Sequence, residues 1–171
     1  MGEQPGDRED LAGRPFVGPA GAVFDRALAA AGIDRASIYV TNAVKHFKNE
    51  PRGKRRLHKK PNAAEIEQCR WWLVKETALL APRLTVALGA TALRSLLGRD
   101  ETLSRSRGTI LASPFAGPVF VTITLPCCCA CPIRTGTGSS RPSSATWTRF
   151  AVRRIVADGA AERCIQKERG P

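Results

Sequence analysis

A chain of 171 residues has the length of one ordinary domain, and 43% hydrophobic residues suffice to bury a core. A net charge of +12 favours polyanionic partners such as nucleic acid or anionic lipid, while saying nothing about fold. No uninterrupted apolar run reaches the roughly 20 residues of a membrane helix, and residues 1–10 are acidic and Gly/Pro-rich, unlike a signal peptide, so a cytoplasmic protein off the membrane is expected.

Residues 1–18 read as a loop, because Gly2, Pro5, Gly6, Gly13, Pro15 and Gly18 interrupt any regular period. Val23, Phe24, Ala27, Leu28 and Ala31 then recur at helical spacing, and Gly32 supplies a stop. Residues 37–42 form a short strand candidate ending on a polar side chain, followed by a basic stretch over 52–60. Asn62 is a reasonable N-cap with Glu65 three positions on, and Ile66, Cys69, Leu73 and Leu80 carry a helix to residue 80. A buried strand over 84–88 turns at Gly89 into a helix over 91–97, and 119–123 is a further strand candidate. Strands alternating with helices predict an α/β domain with a doubly wound parallel sheet, whose ligands bind outside the carboxyl ends of the strands.

Beyond Ile123 the character changes. Cys127, Cys128, Cys129 and Cys131 crowd together, a spacing that cannot staple distant segments, and residues 134–149 form a Thr/Ser/Gly/Arg tract without hydrophobic period. Composition alone allows a disordered basic tail, and metal binding by the cysteine run is an alternative.

Four runs carry a family likeness: GEQPGDREDLAGRPFVGPAG at 2–21, YVTNAVKHF at 39–47, GKRRLHKKP at 53–61 and LGATALRSLLG at 88–98. Together, over about residues 1–123, they resemble the uracil-DNA glycosylase superfamily. The first is similar to the opening motif of family 4, but Gln4 stands where family 4 has alanine, as is typical of the UdgX branch. The third is similar to the KRRIH loop that marks UdgX. This resemblance implies a three-layer, doubly wound, mostly parallel sheet. It further implies an incomplete domain over 1–123, without its first strand and C-terminal elements, and a frameshifted or disordered tail over 124–171. One cytosine restored to GC-rich codons for residues 124–132 would give His-Pro-Pro-Leu-Leu-Leu-Arg-Met-Pro, which resembles the family's last motif.

The chemistry accounts for these residue types. Cutting an N-glycosidic bond in DNA requires flipping the nucleotide out, gripping the base and stabilising an oxocarbenium-like sugar. Phe16 offers a stacking face; the Asn42 amide matches O4 and N3–H of uracil but not the amino edge of cytosine. Gln4 and Gly6 belong to the same candidate uracil pocket, where backbone amides can hold O2 as charge develops. Glu3 and Asp7 are the carboxylates expected near the sugar, and Lys54, Arg55 and Arg56 the expected phosphate contacts. The resemblance to UdgX implies that His58 attacks C1′ once uracil has left, giving a protein–DNA adduct. Each has a plainer reading: a core aromatic at Phe16, a turn cap at Asn42, and a solvated nucleic-acid-binding loop around His58.

Family 4 relatives hold a [4Fe–4S] cluster; the likeness puts His46 and Cys69 at its third and fourth ligand positions. The first two positions have no counterpart in the chain, so the cluster is not expected to assemble here, leaving Cys69 as a buried helix residue. The expectation is therefore a monomeric UdgX-like glycosylase acting on uracil-containing DNA, single-stranded by preference, whose activity in this chain is open. The alternatives are a conventional family 4 enzyme and a non-catalytic nucleic-acid-binding protein.

Overall fold

The computed structural model describes residues 1–124. Five helices and five strands occur there in the order α1 (Asp7–Ala12), α2 (Pro19–Ala31), β1 (Asn49–Arg52), β2 (Arg55–His58), α3 (Ala63–Leu80), β3 (Thr85–Leu88), α4 (Ala90–Leu97), α5 (Leu103–Ser106), β4 (Ile110–Ser113) and β5 (Gly117–Thr122).

The best-specified helix is α3. The Asn62 side chain accepts from Glu65 N at 2.8 Å while Glu65 Oε2 accepts from Asn62 N at 2.7 Å, so two otherwise orphaned amide donors are satisfied reciprocally. Its inner stripe, Ile66, Cys69 and Leu73, is buried, and Ile66 and Cys69 pack with Val44 in a small apolar cluster. Helix α2 starts at Pro19, four residues ahead of Val23, the first residue of the apolar period, and stops at Gly32 with φ 71°.

Three strands form one sheet in the order β3-β5-β4, with β5 parallel to β3 and antiparallel to β4. Helix α4 packs across it, and Ala87, Leu93, Leu96, Val119 and Val121 are completely buried between the two layers. Parallel pairing continues beyond β3 through isolated main-chain bonds. The Met1 amine donates to Val86 O at 2.8 Å, and Leu88 N donates to Met1 O at 3.0 Å. On its other side, this segment meets residues 41–44: Gly2 N donates to Thr41 O, Ala43 N to Gly2 O and Val44 N to Glu3 O, each at 2.9 Å. Burial, and then the Lys45 charge, push the Met1 amine down to about 5.

Three expectations need correction. The strand expected at 37–42 is reduced to a 3-10 turn, Arg35–Ser37, and a single parallel bridge between Gly2 and Asn42. The loop expected over 1–18 contains α1, which Glu9 opens by accepting from Gly6 N at 2.8 Å and Gly13 closes in the left-handed conformation. The basic stretch is a β-hairpin, β1 to β2, whose two-residue turn, Gly53–Lys54, has Gly53 at φ 59°. The described part is a mixed assembly of helices and small sheets, compatible with an α/β fold. The tail from residue 125, with its four clustered cysteines and the expected change of reading frame, lies outside the described residues.

Candidate active site

Gly2 is the point on which two of the expected base-binding side chains converge. A Cβ built there would lie 2.5 Å from Asn42 Oδ1 and 2.8 Å from Phe16 Cζ. Both side chains are buried, Phe16 to 8% exposure and Asn42 to 5%. Only a residue without a side chain lets the aromatic ring and the amide approach one another across the backbone. Phe16 itself has φ 58°, unusual for a bulky residue, and its carbonyl lies so close to Gly21 that a methyl group there would overlap it. The ring rests tilted against Phe24, with centroids 5.0 Å apart.

Asn42 is anchored from behind. Lys45 Nζ donates to Glu76 Oε1 and Oε2 at 2.7 and 2.8 Å and to Thr41 Oγ1 at 2.6 Å, while Thr41 Oγ1 donates to Glu76 Oε2 at 3.1 Å. This network ties the segment that presents Asn42 to α3, and sequence reasoning missed it because 31 residues separate Lys45 from Glu76.

The hairpin joins the same neighbourhood through Gln4. Its Nε2 donates to Lys48 O at 3.2 Å and Lys59 O at 3.0 Å, and its Oε1 accepts from Lys48 N at 3.2 Å. The amide, 7% exposed, is thus spent on the base of the hairpin, where the sequence reading had it facing uracil. Gly6 differs likewise: its N–H is held by Glu9, so it offers no free amide to a base oxygen. His58 ends β2 opposite Asn49; it is exposed, and its ring lies 6.2 Å from that of the buried Phe47.

Of the two candidate carboxylates, Asp7 is engaged by Arg56, whose Nε donates to Asp7 Oδ1 at 2.6 Å. Glu3 is half-buried and makes no side-chain hydrogen bond or ion pair among the described residues. Lys54 and Arg55 are exposed, and they line, with Asp7, Leu11, Arg56 and Leu57, an open cleft of about 530 Å³ between α1 and the hairpin. Beside the hairpin, Lys48 Nζ donates to Glu65 Oε2 at 2.7 Å; that bond, then the one from Asn62, holds the Glu65 carboxyl below its ordinary pKa.

His46 Nδ1 lies 3.8 Å from Cys69 Sγ, so these two expected ligands are neighbours. No group of three or more His, Cys, Asp or Glu suited to a metal occurs among the described residues, and one thiol with one imidazole does not fit a four-ligand cluster. The described part of the chain therefore supplies no cluster site, and no chemical step is routed through one.

Comparison with known proteins adds the family. The sequence profile of the uracil DNA glycosylase superfamily matches residues 1–145. A type-4 uracil-DNA glycosylase from Pyrobaculum aerophilum is 40% identical over 121 residues, covering 68% of this chain and 58% of the relative. Those from Archaeoglobus fulgidus and Thermotoga maritima are 34% and 37% identical, covering 64% and 63% of this chain and 54% and 53% of their own lengths. The chain thus spans little more than half the length of the curated relatives it matches.

Proposed function

The chain belongs to the uracil DNA glycosylase superfamily, and on that premise we propose that it excises uracil from single-stranded DNA and then captures the sugar on His58, as a monomer of the UdgX kind. The observation that carries this reading is the Gln4 amide hooked onto Lys48 and Lys59, because it ties the hairpin bearing an exposed imidazole to the loop bearing Glu3. An alanine at position 4 would leave those main-chain groups without this partner.

In this reading an extruded uracil stacks on Phe16 and is read by Asn42. The C1′–N1 bond breaks, and its electron pair leaves with the base. Glu3, free of the Arg56 pairing that occupies Asp7, faces the cationic sugar and lowers its energy. The His58 lone pair then forms a C1′–N bond; the ring N–H proton is lost to solvent, which returns one to the uracil anion, leaving a neutral adduct and free uracil. Lys54 and Arg55 supply phosphate contacts from the hairpin turn. Residues 1–123 would form the glycosylase unit, with the altered reading frame beginning near residue 124.

A second reading, a conventional multiple-turnover enzyme, is favoured by the likeness to type-4 uracil-DNA glycosylases. Incubation with a single-stranded uracil-containing oligonucleotide, followed by a denaturing gel, separates the two. Capture predicts a shifted band, at most one DNA per protein, that His58→Ala abolishes. Free uracil in molar excess over protein with no such band supports the conventional enzyme, whereas neither uracil release nor adduct points to a binding protein that cleaves nothing.

A further inference from the structure

Among the three consecutive cations of the hairpin, Arg56 is set apart. Lys54 and Arg55 are exposed at the turn, whereas Arg56 points back onto α1. Its Nε and Nη2 reach Asp7 Oδ1 at 2.6 and 2.5 Å, its Nη1 reaches Asp10 Oδ2 at 2.8 Å, and its guanidinium lies over the Phe47 ring, 5.3 Å from the centroid. The Asp7 and Asp10 carboxylates lie one helical turn apart, so a planar fork spans them where an ammonium, a single point of charge, could not. Phe47 is in turn the ring beside His58.

We propose that Arg56 is a positioning residue: it clasps the hairpin to α1 and so fixes the strand that ends at His58, while the DNA backbone is bound by Lys54 and Arg55. This deepens the capture reading and rests on it for its consequence, though the clasp itself does not. Two carboxylates already neutralise the guanidinium, so a phosphate could recruit it only by leaving both acids facing DNA uncompensated. The hairpin has no other strand beside it: β1 and β2 pair only with each other among the described residues. A two-stranded ribbon is marginal alone, and its orientation therefore depends on side-chain anchors, Gln4 at its base and Arg56 near its tip.

The test compares Arg56→Ala, Arg56→Lys and Asp10→Asn with Lys54→Ala in the full chain. The clasp predicts that Arg56→Ala and Arg56→Lys both slow adduct formation at saturating DNA by about tenfold or more and speed amide exchange across β1 and β2. The dependence of log K for uracil-DNA on log salt keeps its slope in both, whereas Lys54→Ala lowers it by about one. Asp10→Asn, which removes no positive charge, should slow the adduct in the same direction by a smaller factor. A slope lowered by about one in Arg56→Ala, restored in Arg56→Lys, with adduct formed at the parental rate once DNA is bound, would overturn the proposal. If the parent protein forms no adduct, the capture reading fails, and the salt slope with hairpin exchange decides on Arg56 alone. Should Arg56→Ala not fold, Asp10→Asn carries the same decision, and unchanged exchange and unchanged capture there reject the clasp.

Discussion

At the scale of single residues, the site is built on the absence of a side chain as much as on the presence of others. Gly2 holds Phe16 and Asn42 at a separation that no other residue allows, and Gly21 does the same for the Phe16 carbonyl. Gly2→Ala should therefore disturb chemistry more than folding. Overpacking of this sort costs about 1–3 kcal/mol, enough to lower Tm by several degrees, while displacement of the Asn42 amide should reduce uracil excision at least about tenfold. Thermal melts run alongside single-turnover excision would show the imbalance, and equal losses in both would contradict it. Phe16, Asn42 and His58 were legible as candidates because loop glycines, a strand-end amide and a basic loop with one histidine are local patterns. The partners of Gln4 and Arg56 were not: each reaches across 44 to 55 residues, and no spacing rule connects an amide to a hairpin folded that far along the chain.

Among the elements, α3 is the one whose limits its own residues dictate. Asn62 and Glu65 close the first turn reciprocally, so Asn62→Ala should lower stability by about 1 kcal/mol in denaturant unfolding. Glu65 also pairs with Lys48, and its folded-state pKa lies below its unfolded value. Its contribution is therefore fully present above the ordinary carboxylate range and lost as pH falls through that range towards the depressed folded value. The stability gap between the parent and Glu65→Gln should be constant near neutrality and narrow below about pH 4, as Tm measured across that window would reveal. By contrast, residues 37–42 carry strand-forming side chains, Ile38, Tyr39, Val40 and Thr41, yet find only one bridge, at Asn42, because a strand needs a partner along its whole length and the Met1–Glu3 segment meets just its end. The basic stretch hid a hairpin since Arg, Lys and Glu have no strand preference, and a turn glycine was the sole local sign.

At the scale of the whole molecule, the larger apolar cluster among the described residues lies between α4 and the β3-β5-β4 sheet. Leu96 is completely buried there, so Leu96→Ala should cost about 2–5 kcal/mol. In a chain of this size that loss lowers Tm by roughly 4–20 degrees, in apo protein and DNA complex alike. The positive charge of Lys54 and Arg55, by comparison, is exposed and holds no part of the core; in the proposed reading it attracts phosphate at long range. What the amino-acid sequence determined unaided was the set of local elements with strong caps or periods, α2, α3, α4, β3 and β5, and the family to which the motifs point. Those features depend on neighbours a few residues apart, where backbone geometry is repetitive. Which carboxylate is paired, which amide is spent and which arginine is turned inward were decided only by the tertiary structure. A hydrogen bond has a short reach and a strict direction, and residues far apart in the chain satisfy both only after the fold has brought them together.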